Sequence, residues 1–407
     1  MMKRTILIFG LVFFIWSCSK KDSSKDEENL GLETESKPCV NGMAGIYPCN
    51  GYDLLARLPL SDFNATKGND IWGWTDPETA KEYAIFGVDN GVVFVDITDT
   101  ENAQYIGKLP TATTASTWRD VKVYKNYVFV VSEAENHGMQ IFDLTKLRTV
   151  TNAPETFVAD VHYKGFGNAH NIVINEGVGY AYVVGTQRDD AFLGGAHFIN
   201  IQDPMNPIAA GGYAASGYTH DAQVVTYMGP DTDYTGKEIF IGANENQVVV
   251  VDVTDKLNPV EISTVLYPNI EYTHQGWFTE NQKYFLLGDE LDETKLGFKS
   301  RTLVFDFTDL DNPVLFHTYL GESSAIDHNG YVKGDLFFLA NYTAGIRVLD
   351  ISGINTKAIK EVGFFDTYPA HNNADFNGVW SVYPYFNSGK IVIGDINSGL
   401  FVVKKSD

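Results

Sequence analysis

The chain has 407 residues and carries 52 Asp and Glu against 30 Lys and Arg, for a formal charge of −22. A surface this acidic repels phosphate backbones and anionic lipid, which excludes nucleic acid as a partner. It favours metal ions, cationic ligands or basic protein patches, with solubility as the plainest alternative.

In chain order, Lys3 and Arg4 precede an apolar run from Thr5 to Trp16, and Ser17 sits directly before Cys18. The run is well short of the roughly 20 residues that a membrane-spanning helix needs, so residues 1–17 read as a cleaved secretion signal. Cys18 then reads as the lipidated residue of an exported lipoprotein of the outer membrane or cell surface, touching the membrane through the lipid alone. Removal of the signal takes Lys3 and Arg4 with it and makes the charge still more negative. Residues 18–38 are polar, acidic and almost free of groups to bury, which suits a flexible tether. With Cys18 taken by lipid, Cys39 and Cys49 remain as an even pair in an oxidising compartment, and a disulfide closing residues 39–51 is expected. Zinc is the rival reading, but two cysteines with no histidine nearby are half a site.

From residue 52 to 407 the chain repeats itself. An apolar strand ending on an acidic or amide residue recurs as Gly91-Val-Val-Phe-Val-Asp96, Gly138-Met-Gln-Ile-Phe-Asp143 and Gly195-Ala-His-Phe-Ile-Asn200. It returns at 247–252, 301–306, 345–350 and 399–403, seven copies in all, five of them opened by glycine. Turns such as Asp203-Pro-Met-Asn-Pro207 and Asp255-Lys-Leu-Asn-Pro259 follow, with side chains that bond local backbone and prolines that fix φ. A second marker precedes each unit, at Asn69, Arg119, His170, His220, His274, His328 and Asn377, spaced by 50, 51, 50, 54, 54 and 49 residues. A period near 50 that holds only short alternating strands predicts the blades of a propeller. Strands at 169–174, 179–185, 195–200 and 207–213 make up one blade, and seven such blades give 28 strands. The last blade runs out at Val403 without an outermost strand. Residues 53–58, which resemble the outer strands at 105–110 and 260–265, are expected to supply it. The fold class is therefore all-β, a seven-bladed β-propeller of four-stranded blades closed by an N-terminal outer strand on the last blade.

With these repeats in view, the chain after Cys39 resembles the choice-of-anchor B family of LVIVD-type repeat proteins. The resemblance rests on Cys39-Val-Asn-Gly-Met-Ala-Gly-Ile-Tyr-Pro-Cys49, Trp118-Arg-Asp-Val-Lys-Val-Tyr124, Tyr218-Thr-His-Asp-Ala-Gln223, Tyr272-Thr-His-Gln-Gly-Trp277, Gly288-Asp-Glu-Leu-Asp-Glu293 and Phe376-Asn-Gly-Val-Trp380. It implies an extracellular body attached by different anchors in different members, here by lipid on Cys18, and it implies no particular activity.

In a propeller the first strand of each blade lines the axis, so the residues that open it ring one mouth of the channel. Four of the nine histidines fall on that position, beside Asp70, Asp120, Asp221, Gln275 and Asp327. Loops after the second strand add Asp89, Glu133, Glu245, Asp289, Glu290 and Asp395. Imidazoles beside carboxylates suit a divalent transition metal, which makes His170, His220, His274, His328, Asp289 and Glu290 candidate ligands. Arg119, Asp120, Asp221, Gln275 and Asp327 join the four histidines as candidate ligand-binding residues at the mouth. The alternative is structural, each histidine bonding a neighbouring blade. If the ring binds, protonation near pH 6 should expel a metal but attract a carboxylate. Two acidic stretches, Asp231-Thr-Asp-Tyr-Thr-Gly236 and Asp289-Glu-Leu-Asp-Glu293, offer clustered oxygens for calcium. The first has Gly242 where a calcium loop needs glutamate, and both also read as solvated loops.

Familiar catalytic signatures are missing from the sequence: there is no Gly-x-Ser-x-Gly elbow, no His-Glu-x-x-His, no phosphate loop and no dinucleotide fingerprint. The preferred reading is a monomeric, lipid-anchored binding or scaffolding module for an extracellular or periplasmic protein or glycan. The alternative is a metal-dependent hydrolase or lyase with its site at the channel mouth.

Overall fold

Runs of five to eight Val, Ile, Phe and Tyr residues, bounded by Gly, Asp and Pro, favour short twisted strands over helices. The computed structural model describes residues 35–407, and there such runs form seven antiparallel blades around one axis. The signal at 1–17, the lipidation candidate Cys18 and the tether as far as residue 34 lie outside the described residues. Blades 1 to 7 begin with the inner strands Gly68–Thr75, Arg119–Tyr124, Asn171–Asn175, Asp221–Thr226, Thr273–Phe278, Gly330–Lys333 and Val379–Tyr383. Blade 3 shows the pattern, with Asn171–Asn175, Tyr180–Val184, Ala196–Asn200 and Ile208–Tyr213 pairing in that order from axis to rim.

Second strands carry the near-continuous apolar runs because neighbouring blades cover both their faces. Every residue of Glu82–Val88, Glu238–Ala243 and Tyr284–Asp289 is buried. Cores form between blades: Ile239, Ile241, Val248 and Val250 of blade 4 pack on Phe285, Leu287 and Phe305 of blade 5.

The ring closes as its ends require. Tyr52–Leu58 is the outer strand of blade 7, antiparallel to Gly399–Lys405, with Leu54 opposite Val403 and Leu58 opposite Leu400. A one-residue slip after Leu54 keeps Ala56 and Leu58 buried beyond it. The glycines that open third strands serve both turn geometry and close approach, and Gly91, Gly138, Gly345 and Gly399 have positive φ. A Cβ on Gly399 (φ +100°) would lie 2.3 Å from the carbonyl of Leu58, and one on Gly195, whose φ is not positive, 2.2 Å from that of Tyr213. In both places the outer strand ends against the glycine, and a side chain would push it off.

Three strands exceed the expected 28. Glu155–Thr156 adds to the rim of blade 1, parallel to Gln104–Pro110. The other two, Met43–Ala44 and Tyr47–Asn50, form a hairpin inside the Cys39–Cys49 disulfide. That hairpin docks on the rim of blade 6, with Cys49 opposite Phe365 and Asn50 opposite Phe364. Its buried Tyr47 packs edge-on to Phe401 of blade 7 and tilted on Phe365 of blade 6. The disulfide loop is thus a clamp over the joint between blades 6 and 7.

Candidate functional site

Inner strands are held to one another by side chains reaching the next blade's backbone. Ile172 N–H donates to Asp120 Oδ2 at 2.7 Å, Phe278 N–H to Gln223 Oε1 at 2.8 Å, and Gly330 N–H to Gln275 Oε1 at 2.9 Å. Histidines take part through Nδ1: His220 donates to the carbonyl of His274 at 3.2 Å and His328 to that of Trp380 at 2.5 Å. His170 Nδ1 meets the Glu133 carboxylate at 2.6 Å.

A carbonyl accepts only, and burial keeps His220 and His328 neutral, so in these two rings Nδ1 carries the proton and Nε2 keeps its lone pair. That is the arrangement of a metal-binding or acceptor imidazole whose other nitrogen is held from behind. Among the described residues no hydrogen bond reaches Nε2 of any of the four histidines. The rings stand in sequence around the mouth, with centroids 4.2 Å apart for His170 and His220, then 4.4 Å and 4.4 Å on to His274 and His328. Together they line a cavity of about 520 Å³ walled by Tyr218, Tyr272, Tyr342 and Trp380, with the half-exposed rings of Trp118 and Phe376 at its rim.

A second carboxylate, Glu290, reaches this arc from the other end. Its Oε2 lies 3.7 Å from His274 Nε2 and its Oε1 3.6 Å from His328 Nε2, while Tyr342 donates to Oε1 at 2.8 Å. Those separations exceed a hydrogen bond but are close to the roughly 3.3 Å between donors that share one tetrahedral ion with bonds of about 2.0–2.1 Å. Burial pushes Glu290 up to about 7 and His328 down to about 3. Burial, reinforced by the neighbouring rings, also holds His220 and His274 well below the ordinary histidine range. The expectation of histidine titration near pH 6 is therefore corrected for these three. They stay neutral through that range, whereas Glu290 changes charge near neutrality.

Several sequence candidates lie elsewhere. Arg119 turns into the joint of blades 1 and 2, donating to Val88 O, His137 Nε2 and Thr111 Oγ1. Asp120 and Gln275 belong to the interblade belt. Asp221 is buried outside the cavity lining, within the field of Lys122. Asp289 is no free ligand: it accepts from Tyr267 Oη and from the amides of Glu271 and Tyr272, fixing the loop that presents Tyr272. Asp327 is buried behind the mouth beside Asp292 and Glu293. Of the six acids after second strands, Glu133 and Glu290 line the cavity. Asp89 caps Thr66, Glu245 pairs with Arg188, and Asp395 bonds Thr367.

Sequence reading missed Lys122. Its ammonium lies 2.6 Å from Asp120 Oδ1 and 3.1 Å from Asp70 Oδ2, and 4.7 Å from the centre of the Trp72 ring. Burial opposes that charge, but Asp120 and Asp70 outweigh it and hold Lys122 well above the usual lysine range. The wall tyrosines Tyr218 and Tyr272 were also missed, although each stands two residues before a ring histidine in a repeated Tyr-Thr-His.

The solved β-propeller domain of Myceliophteria thermophila Cps50 (Swd1) superposes with a TM-score of 0.55 at 8% identity, covering 88% of this chain and 100% of that one. The shared property is the propeller fold. No family model matches the chain, and no curated protein resembles it in sequence.

Proposed function

We propose that this chain is a binding module of the choice-of-anchor B type, tethered by lipid on Cys18 outside the cytoplasm, that seats a protein segment or glycan end at the histidine-lined mouth. The supporting observation is the arc of His170, His220, His274 and His328, whose Nε2 atoms are unbonded within a cavity walled by aromatic rings. Aromatic faces with a few convergent polar atoms suit such a ligand. The anchor has its own test. Cys18→Ser should move the protein from the membrane to the soluble fraction, and a variant still sedimenting with membranes would refute the anchor.

A second reading is favoured by the triangle of His274, Glu290 and His328. One donor atom from each lies within 4.8 Å of the others, a set that suits a divalent transition metal able to polarise water for a hydrolase or lyase. Titrating the purified full chain with Zn²⁺ and with a panel of acidic and neutral oligosaccharides separates the two readings. A metal must displace the Glu290 proton, so Zn²⁺ affinity should rise with pH and level off above about 7. An anionic sugar should bind better below about 7, where Glu290 is neutral. Replacing both His274 and His328 by Ala should weaken Zn²⁺ binding by about 100-fold or more. Oligosaccharide binding unaffected by Trp118→Ala and by His220→Ala would place the glycan seat away from the mouth.

A further inference from the structure

Behind the mouth lies a second group that the proposed function does not use. Asp292 and Glu293 sit on the short helix Asp292–Leu296, which follows the second strand of blade 5, and Asp327 stands just before the inner strand of blade 6. All three are buried, at 0%, 4% and 0% exposure, and one carboxylate oxygen from each lies within 4.8 Å of the others.

Among the described residues no N–H or hydroxyl donates to Asp292 Oδ1, Glu293 Oε2 or either oxygen of Asp327, and these oxygens meet only one another. Buried carboxylate oxygens are seldom left in that state, because losing water without replacement costs several kcal/mol per ion. The nearest cation is Arg301, whose Nε donates to the other Asp292 oxygen at 2.6 Å, while its terminal nitrogens serve the carbonyls of Pro268 and Asn269. That guanidinium is also shared with Asp289, 3.9 Å away, so one positive charge stands against four carboxylates.

A separate feature makes room for Asp327. A Cβ on Gly288, in the second strand of blade 5, would lie 2.3 Å from Asp327 Oδ2, so only glycine lets that carboxylate reach inward. The backbone is therefore shaped to admit Asp327 with both of its oxygens inside the group and no donor group bonded to either.

We infer that Asp292, Glu293 and Asp327 hold a hard divalent cation of the calcium type, which cross-links blade 5 to blade 6 behind the channel mouth. Oxygen-only donors select such an ion over the softer metals that imidazole prefers, so this site and the histidine arc differ in chemistry. Its placement also has a purpose. Glu290 precedes Asp292 on the same loop and His328 directly follows Asp327, so an ion here would fix the two segments that bring Glu290 to His328.

Protons shared among the acids are the other way to neutralise the excess charge, and the two states respond oppositely to mutation. The full chain, purified without chelator, should contain one calcium-type ion per chain by elemental analysis. Chelation should lower Tm by about 5 °C or more, and added Ca²⁺ should restore it. Asp327→Asn and, independently, Glu293→Gln should lose both the ion and the response, whereas Glu290→Gln, which alters only the mouth, should keep both. The inference is overturned if the wild-type chain carries no ion and its Tm ignores both chelator and Ca²⁺. It is equally overturned if Asp327→Asn raises Tm while the response to Ca²⁺ is unchanged, since a protonated cluster gains from a neutral amide.

Discussion

Deleting residues 52–58 is expected to leave the chain unable to fold, although these seven residues contribute nothing to the mouth. Leu54, Ala56 and Leu58 are all buried, and the strand covers the edge of Gly399–Lys405 along its whole length. A single buried leucine truncated to alanine typically loses 2–5 kcal/mol, and a domain has only about 5–15 kcal/mol in hand. Losing two leucines, an alanine and a full ladder of backbone bonds exceeds that margin. The exposed edge then becomes a template for aggregation. Far-UV circular dichroism and thermal unfolding should show no cooperative transition in the deletion, whereas deleting residues 19–34 should leave Tm unchanged. Leu54→Ala tests the same strand more gently, with an expected loss of about 2–5 kcal/mol in denaturant unfolding. A deletion variant that unfolds at the wild-type temperature would show that the ring does not depend on its seam.

Lys122→Met should destabilise by about 3–5 kcal/mol, a large effect for one residue far from both ends of the chain. The methionine fills much of the space, so packing is largely kept, but Asp120 and Asp70 lose the ammonium 2.6 Å and 3.1 Å away. They must then either stay charged without a partner or take up protons. The sign with pH follows. Their carboxyls shift upward in the variant, so its native state binds protons that the unfolded chain has released, and its stability falls as pH rises from about 5 to 8. Denaturant unfolding at pH 5 and pH 8 should therefore show the larger deficit at pH 8. Equal deficits at both would mean that the loss is one of packing and not of charge.

The blades were legible because each repeat announces itself twice, by an apolar strand ending on Asp or Asn and by a polar residue opening the inner strand. A pattern seen seven times averages out local exceptions. The hairpin of Met43–Ala44 and Tyr47–Asn50 occurs once, within a loop whose two cysteines drew the reading towards a covalent closure alone. Nothing local says that Tyr47 will find Phe365 and Phe401, more than 300 residues away.

At the site, position in the repeat identified which residues lie near the axis but not which way each one turns. His170, His220, His274 and His328 share a repeat position and do meet, because each stands at the opening of its inner strand, between two residues before it and its second residue. Arg119 shares that position too, but its longer side chain finds Val88, Thr111 and His137 in the interblade joint. Asp289 and Glu290 are neighbours in sequence, yet one is consumed by backbone amides and the other faces the imidazoles. Burial hid the protonation states as well, since an imidazole under aromatic rings no longer titrates where a free one does.

The seam sets an order of events. Ser406 bonds Asp53 across 353 residues of sequence, so the first strand of the ring to be made has no blade to join until the last has been made. A closure this non-local is slow, and through that interval an apolar segment and an open sheet edge must be kept apart from other chains. The Cys39–Cys49 bond spans only ten residues and needs none of the blades to form. The earliest stable structure in the nascent protein can therefore be a small knot directly beside the strand that waits, which shortens the floppy stretch that must later find the seventh blade.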